Sequence, residues 1–156
     1  MDKILIYTDG ASRGNPGPGG FGALLMWGDK VKELSEAYRK TTNNRMELLA
    51  VIKAINALKT KELPLHIYTD SKYVVESVEK KWLNNWIKTN FKGGKKNKDL
   101  WMQYHKIAAP FQIKFHWVKG HSTNKFNNRC DELATAAADN GPWKIDTVFE
   151  SNESNT

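Results

Sequence analysis

One cysteine, Cys130, stands among 156 residues, which excludes an intrachain disulfide and any cysteine zinc cluster. No long apolar run is present, so nothing reads as a membrane span. Met1-Asp2-Lys3 leads straight into a strand pattern without the apolar core of a secretory signal, and a reducing cytoplasm is the expected compartment. Acids are in short supply, 17 against 24 lysines and arginines, for a net charge of +7 and a pI near 9.4. Such a balance favours polyanionic partners without specifying a fold. The basic surplus is uneven: Lys80 to Lys98 holds seven lysines and no acid, whereas Gly141 onward sets Lys144 against Asp146, Glu150 and Glu153. A local basic run of this kind is the electrostatic footprint of nucleic-acid binding. There is no internal domain linker and no low-complexity segment. With 40% hydrophobic and 11% aromatic residues, the composition is that of an ordinary globular protein, and the length suits one domain. Residues 1–149 are expected to form it, with 150–156 a polar, frayed tail.

Two stretches are near copies of one another: Leu5-Ile6-Tyr7-Thr8-Asp9-Gly10 and His66-Ile67-Tyr68-Thr69-Asp70-Ser71. Each reads as a strand ending in an aspartate and a turn former. Asp9 to Gly20 reads as a turn-rich loop. Gly17, Gly19 and Gly22 match G-x-G-x-x-G in form only, because Phe21 to Trp27 continues as a strand where a dinucleotide site needs a helix. Gly28-Asp29 turns into Val31–Arg39, an outer strand by its polar–apolar alternation. Thr41 to Asn44 offers N-caps for a helix from Arg45 to about Leu58, striped by Leu48, Val51, Ile52, Ile55 and Leu58. This helix is the crossover that makes the two copied strands parallel neighbours. Helices follow from Ser71 and around Leu100–Ile107, then a strand through Phe111, Ile113, Phe115 and Trp117, and a last helix from about Phe126 to Asp139.

Four carboxylates fall where they can converge. Asp9 and Asp70 lie at strand ends, Glu47 in the first turn of the crossover helix and Asp131 near the start of the last helix. Parallel strands of α/β sheets place their working crevice outside the carboxyl ends. Carboxylates without competing nitrogen or sulfur ligands suit magnesium or manganese. Two such ions about 4 Å apart activate a water and stabilise the leaving oxygen in phosphodiester hydrolysis. The competing reading is that Glu47 and Asp131 are acids favoured by helix N-termini. For Asp131 taken alone that reading is the better one; for Asp9 and Asp70 together the metal reading is. His121 lies in a glycine-bounded polar loop, where an imidazole near a phosphate can shuttle protons; taken singly it reads better as a solvated loop residue, and its functional case rests on Asp131 ten residues later, while His66, His105 and His116 sit inside regular elements. In the lysine-rich run, Trp82, Trp86 and Phe91 interleave with charges as in a nucleic-acid platform. Core packing of the two tryptophans, four apart on a helix, is an equal alternative.

Tyr7-Thr8-Asp9-Gly10, Gly14 to Gly20, Thr41 to Leu48, Thr69-Asp70-Ser71, Trp117 to His121 and Arg129 to Leu133, taken in order, resemble type 1 ribonuclease H, the bacterial form, over nearly the whole chain. The resemblance implies an α/β ribonuclease H-like fold with a five-stranded mixed sheet, order 3-2-1-4-5, flanked by helices. It implies an endonuclease that cleaves the RNA strand of RNA–DNA hybrids and leaves 5′-phosphate and 3′-hydroxyl ends. By the same resemblance Asp9, Glu47, Asp70 and Asp131 hold Mg2+, with Mn2+ as a substitute, and His121 assists turnover. Asn15, Asn43 and Asn44 touch the hybrid and Thr42 a DNA phosphate. Lys80 to Lys98 is the basic protrusion, with Trp82 and Trp86 its tryptophan pair; by their charge, Lys92, Lys95 and Lys96 within it are expected to neutralise phosphates of any duplex alike. Lys72 stands where relatives commonly have glutamine, which favours a phosphate contact there. One extra residue precedes Trp82 and the Gly93-Gly94 loop is shorter than usual. A monomer with no obligate protein partner and no membrane contact is expected. Two other classes stand beside this one: a hybrid-binding module that does not cleave, and a polynucleotidyl transferase of the integrase kind, which shares the fold and carboxylate logic but commonly carries flanking DNA-binding domains.

Overall fold

The computed structural model describes residues 3–93, 95–120 and 124–154. Three antiparallel strands open the fold: β1 (Ile4–Ser12), β2 (Gly17–Trp27) and β3 (Lys30–Thr41). Helix α1 (Asn43–Asn56) crosses to β4 (Leu65–Thr69), which pairs parallel with β1. Helices α2 (Lys72–Glu79), α3 (Trp82–Lys88) and α4 (Lys98–Ala108) lead to β5 (Ile113–Trp117), parallel to β4. Helix α5 (Lys125–Asn140), the two-residue β6 (Trp143–Lys144) and α6 (Thr147–Ser154) close the chain. The sheet order is β5-β4-β1-β2-β3-β6. The expected five-strand order is therefore present, extended by β6 along β3. Two residues are too few to show an alternation, and β6 leaves no trace in the sequence pattern.

β1 is buried along nearly its whole length because helices cover both faces. On one side α1, α2 and α4 pack a large core around Ile6, Leu48, Ile52, Ile67 and Trp101. On the other, α5 covers a smaller cluster of Tyr7, Leu24 and Cys130. Each fully buried aliphatic contributes roughly 1.5–3 kcal/mol, so truncating Ile52 to alanine would cost about 2–5 kcal/mol. Thr42 caps α1, its side chain accepting from Arg45 N at 3.2 Å. Buried Arg45 then donates to Asp99 at the start of α4 and to Asp146 ahead of α6, both at 2.7 Å. One guanidinium thereby ties two further segments to the helix that carries Glu47, and removing either acid leaves the buried charge half-compensated.

Three boundaries differ from the sequence reading. The stretch from Asp9 to Gly20 is mostly paired: Gly10, Ala11 and Ser12 face Phe21, Gly20 and Gly19, and the turn shrinks to residues 13–16. Its glycines mark close approach of a helix to a strand. A Cβ on Gly22 would stand 2.5 Å from Cys130 O and 3.2 Å from Ala134 N, so α5 lies directly on β2. Helix α1 starts at Asn43, two residues before its expected first residue. Where a frayed tail was expected from residue 150, α6 continues through Ser154, and Glu150 accepts two hydrogen bonds from Arg39, at 2.8 and 3.0 Å. That ion pair and Asp146, whose carboxylate caps Phe149 N at 3.3 Å, hold the segment. His66 and His116, read as residues of regular elements, hydrogen-bond each other across β4 and β5 at 2.8 Å.

Candidate active site

The copied strands align residue for residue. Ile4 to Tyr7 pair with Leu65 to Tyr68, and the same register sets Asp9 beside Asp70 just past the last pair. Gly10 lets α1 reach them: a Cβ there would lie 2.4 Å from Glu47 N and 2.6 Å from the Met46 carbonyl carbon. Only a residue without a side chain lets the helix backbone touch the strand at this level, and the contact aims Glu47 at Asp9. Oxygens of Asp9, Glu47 and Asp70 all lie within 4.8 Å of one another, Asp9 and Glu47 buried and Asp70 half-buried.

Three carboxylates so close cannot all stay ionised without compensation. Burial, then the Asp70 charge, pushes the Asp9 carboxyl up to about 8, against relief from a hydrogen bond with Glu47 and from Gly10 N at 2.9 Å. Burial, then the charges of Asp9 and Asp70, raises Glu47 well above the carboxylate range. Glu47 Oε1 is buried without a hydrogen-bond partner. An all-oxygen donor set with one orphaned oxygen and suppressed ionisation fits a hard divalent cation, whose charge reverses this pKa logic.

Asp131 stands apart from this trio, half-buried on α5, and reaches Asp9 only through longer-range repulsion. With α1 starting at Asn43 and α5 at Lys125, Glu47 and Asp131 both fall beyond the first helical turn. The macrodipole acts mainly over that turn, so the cap alternative has little support for either acid. His121 lies outside the described residues.

The expected hybrid contacts gather beside the trio. Asn43 and Asn44 are exposed at the start of α1, and Asn15 Oδ1 accepts from Asn43 N at 3.0 Å, so the 13–16 turn braces that helix end. Thr42 is occupied as the cap. Lys72 is exposed with Nζ 4.9 Å from the Trp117 ring centre. Trp117 escaped the sequence reading, which placed it on the apolar side of its strand. It is 47% exposed and donates from Nε1 to Asp70 O at 3.1 Å, holding the end of β4. The available signal was its level: Trp117 pairs with Thr69, one residue before Asp70.

The tryptophan pair divides. Trp86 turns inward against Trp101 and Phe91, with ring centres 6.0 and 6.3 Å away, while Trp82 is 42% exposed under Lys80 Nζ at 5.5 Å. Lys92, Lys95 and Lys96 are exposed, and Lys95 Nζ covers Trp86 at 5.8 Å. The basic segment and the acidic trio thus stand on different elements, the first on α3 and residues 89–97, the second at the ends of β1 and β4 and on α1.

Residues 1–139 match the family described as RNase H. Ribonuclease H of Chlorobium luteolum is 51% identical over 144 residues, covering 90% of this chain and 98% of the relative. That of Lachnoclostridium phytofermentans is 48% identical over 158 residues, covering 95% and 99%. Among solved structures, LC9-RNase H1, described as a type 1 RNase H with the type 2 active-site motif, superposes with a TM-score of 0.80 at 27% identity, over 89% of this chain and 73% of that one. LC11-RNase H1 in complex with RNA/DNA hybrid gives 0.69 at 26% identity, over 88% and 97%.

Proposed function

The chain belongs to the ribonuclease H family, and from that premise we propose that it is a metal-dependent endonuclease hydrolysing the RNA strand of RNA–DNA hybrids to 5′-phosphate and 3′-hydroxyl ends. The observation that carries the reading is the trio of carboxylates within 4.8 Å at the carboxyl ends of β1 and β4. Asp9, Glu47 and Asp70, with Asp131 beside them, would hold Mg2+, or Mn2+ in its place. Ions bound there supply an activated water and charge stabilisation at the leaving oxygen.

The protein's own share is to hold and release protons and to place the strand. Asp9 and Glu47 would hold a cation as carboxylates and so must give up the protons that crowding and burial keep on them, which makes loading more favourable as pH rises, for Asp9 towards about 8. Asn15, Asn43 and Asn44 offer amide donors and acceptors to 2′-hydroxyls across a minor groove, the feature that separates RNA from DNA. Thr42 sits to meet a DNA phosphate, Lys72 another, and His121 carries protons during turnover. Trp82, Lys92, Lys95 and Lys96 extend the contact along the duplex, with Trp86 packed inward beneath them.

The decisive assay incubates the protein with labelled RNA–DNA, RNA–RNA and DNA–DNA duplexes, with magnesium and with chelator. Cleavage confined to the RNA of the hybrid and lost on chelation is expected. Hybrid retention without cleavage at any magnesium concentration would leave a binding module instead. No described helix is long and apolar enough to cross a membrane; location in the cytoplasm and a monomeric state belong to the same proposal.

A further inference from the structure

Arg13 follows Asp9 by four residues and lies just past the end of β1, at the first residue of the 13–16 turn; carrying the strand alternation one residue further puts it on the face of Asp9. The ladder reaches it: Arg13 N donates to Pro18 O at 2.7 Å. Helix α5 runs alongside with a matching interval. Asp9 feels Asp131, and Arg13 bonds Asp139, eight residues further along α5. Eight helical residues span about 12 Å and four strand residues about 13 Å. One shared face therefore carries a repelling pair of acids at the proposed cleavage site and an ion pair about 13 Å away.

That ion pair is easily undone. Arg13 Nε and Nη2 reach the Asp139 oxygens at 2.6 and 2.7 Å, but the side chains are 52% and 47% exposed, where such pairs are weak. Asp139 is the penultimate residue of α5, an end at which the helix dipole disfavours an acid. Arg13 also opens the turn that carries Asn15, which is fastened to the start of α1. A planar guanidinium presents the paired donors that a phosphate accepts.

We propose that Arg13 is a substrate contact held in reserve: on binding, its guanidinium leaves Asp139 for a backbone phosphate of the hybrid about four base steps from the scissile bond, at 3.4 Å of rise per step. Asp139 is then the competitor that sets how much affinity Arg13 adds. The inference rests on the reading of RNA–DNA hybrid as the substrate.

Fluorescence anisotropy of labelled hybrid in chelator, across a salt series, compares wild type with Arg13→Ala, Arg13→Lys, Asp139→Asn and the Arg13→Ala/Asp139→Asn double variant. Arg13→Ala should weaken binding about eightfold at 0.1 M salt and lower the salt slope by about 0.9, the share of one phosphate. Arg13→Lys should recover part of the loss. Asp139→Asn should tighten binding about two- to fivefold, the worth of an exposed ion pair, and the double variant should match Arg13→Ala. Thermal unfolding checks that each variant is folded. If the pair only fastens the turn to α5, both single variants weaken binding alike; that result, or no change in either, overturns the exchange. A wild type that neither binds nor cleaves hybrid overturns the substrate reading beneath it.

Discussion

The acidic trio and the lysine-bearing segment answer opposite demands. Asp9, Glu47 and Asp70 are like charges crowded within 4.8 Å, two of them buried, and they are positioned by paired strands and a helix seated on Gly10. Lys92, Lys95 and Lys96 are exposed charges on a segment of short helices. All four described non-glycine residues with positive φ, Lys81, Asn90, Phe91 and Asn97, fall within it. Left-handed turns cost about 1–2 kcal/mol each, and here buried Phe91 and Leu83 anchor them. Metal chemistry needs oxygens fixed to a fraction of an ångström, so its region is built on regular elements. Phosphate attraction is long-ranged and tolerant of position, so its region is built on loops.

The sharpest way to break this contrast is to neutralise one acid. Asp9→Asn or Asp70→Asn should lower kcat at least about 10³-fold while hybrid binding at low salt survives. Retained magnesium-dependent cleavage by either variant would remove that aspartate from the catalytic assignment. The same substitution at Asp9 should stabilise the metal-free protein. Asp9 titrates near 3.8 unfolded and about 8 folded, so between those values the folded state holds the extra proton. The stability linked to that proton is present in full below about 3.8 and is lost as pH rises to about 8. The slope is at most about 1.4 kcal/mol per pH unit. Calorimetry without metal should show wild-type Tm falling over this window and the Asp9→Asn curve flatter. Added magnesium should restore the wild type at pH 8. A wild-type Tm that rises from pH 5 to 8 without metal contradicts the crowding described for Asp9.

Neutralising the other region should act differently. Lys92→Ala, Lys95→Ala and Lys96→Ala together should flatten the salt dependence by about 2.7 and weaken binding several-hundredfold at 0.1 M salt if each meets one phosphate. The loss should be the same for hybrid, RNA and DNA duplexes, with kcat at saturation unchanged. A loss confined to hybrid would mean that this segment reads more than phosphate, and the division between the two regions would fail.

The two regions were also unequally legible in the sequence. Asp9 and Asp70 could be placed together because a repeated strand pattern with a crossover helix between its copies leaves one parallel register. Glu47 could be assigned to α1, but its closeness to Asp9 depends on the backbone approach at Gly10, which no periodicity displays. Asp131 was grouped with the other three, and the structure leaves it farther out on α5. The threonines before the paired aspartates are alike in sequence and differ in use. Thr69 Oγ1 accepts from Ser71 N at 3.1 Å and helps start α2, while Thr8 Oγ1 is buried without a partner. Segments that depend on a few long-range ion pairs, β6 and α6, were missed because a single Arg39–Glu150 or Arg45–Asp146 contact carries no local pattern.

The tryptophans give the smallest effect and the finest test, since one belongs to each kind of construction. Trp86 packs edge-on against Trp101 and beside Phe91, so Trp86→Ala removes contacts of the core and should destabilise by about 2–4 kcal/mol, near the low end for a truncated aromatic. Its binding defect should shrink when activity is measured well below the variant's Tm. Trp82 is 42% exposed, with Lys80 as its cation partner. Trp82→Ala should leave stability within about 0.5 kcal/mol and weaken hybrid binding roughly tenfold, the effect of one lost stacking face. Trp82→Phe should keep most of the affinity, because a flat ring suffices for stacking. If Trp82→Ala binds as wild type does, the nucleic acid is held in this region by lysines alone. If instead it unfolds early, the outward tryptophan is structural after all, and the segment is built more like the acidic trio than the exposure of its lysines indicates.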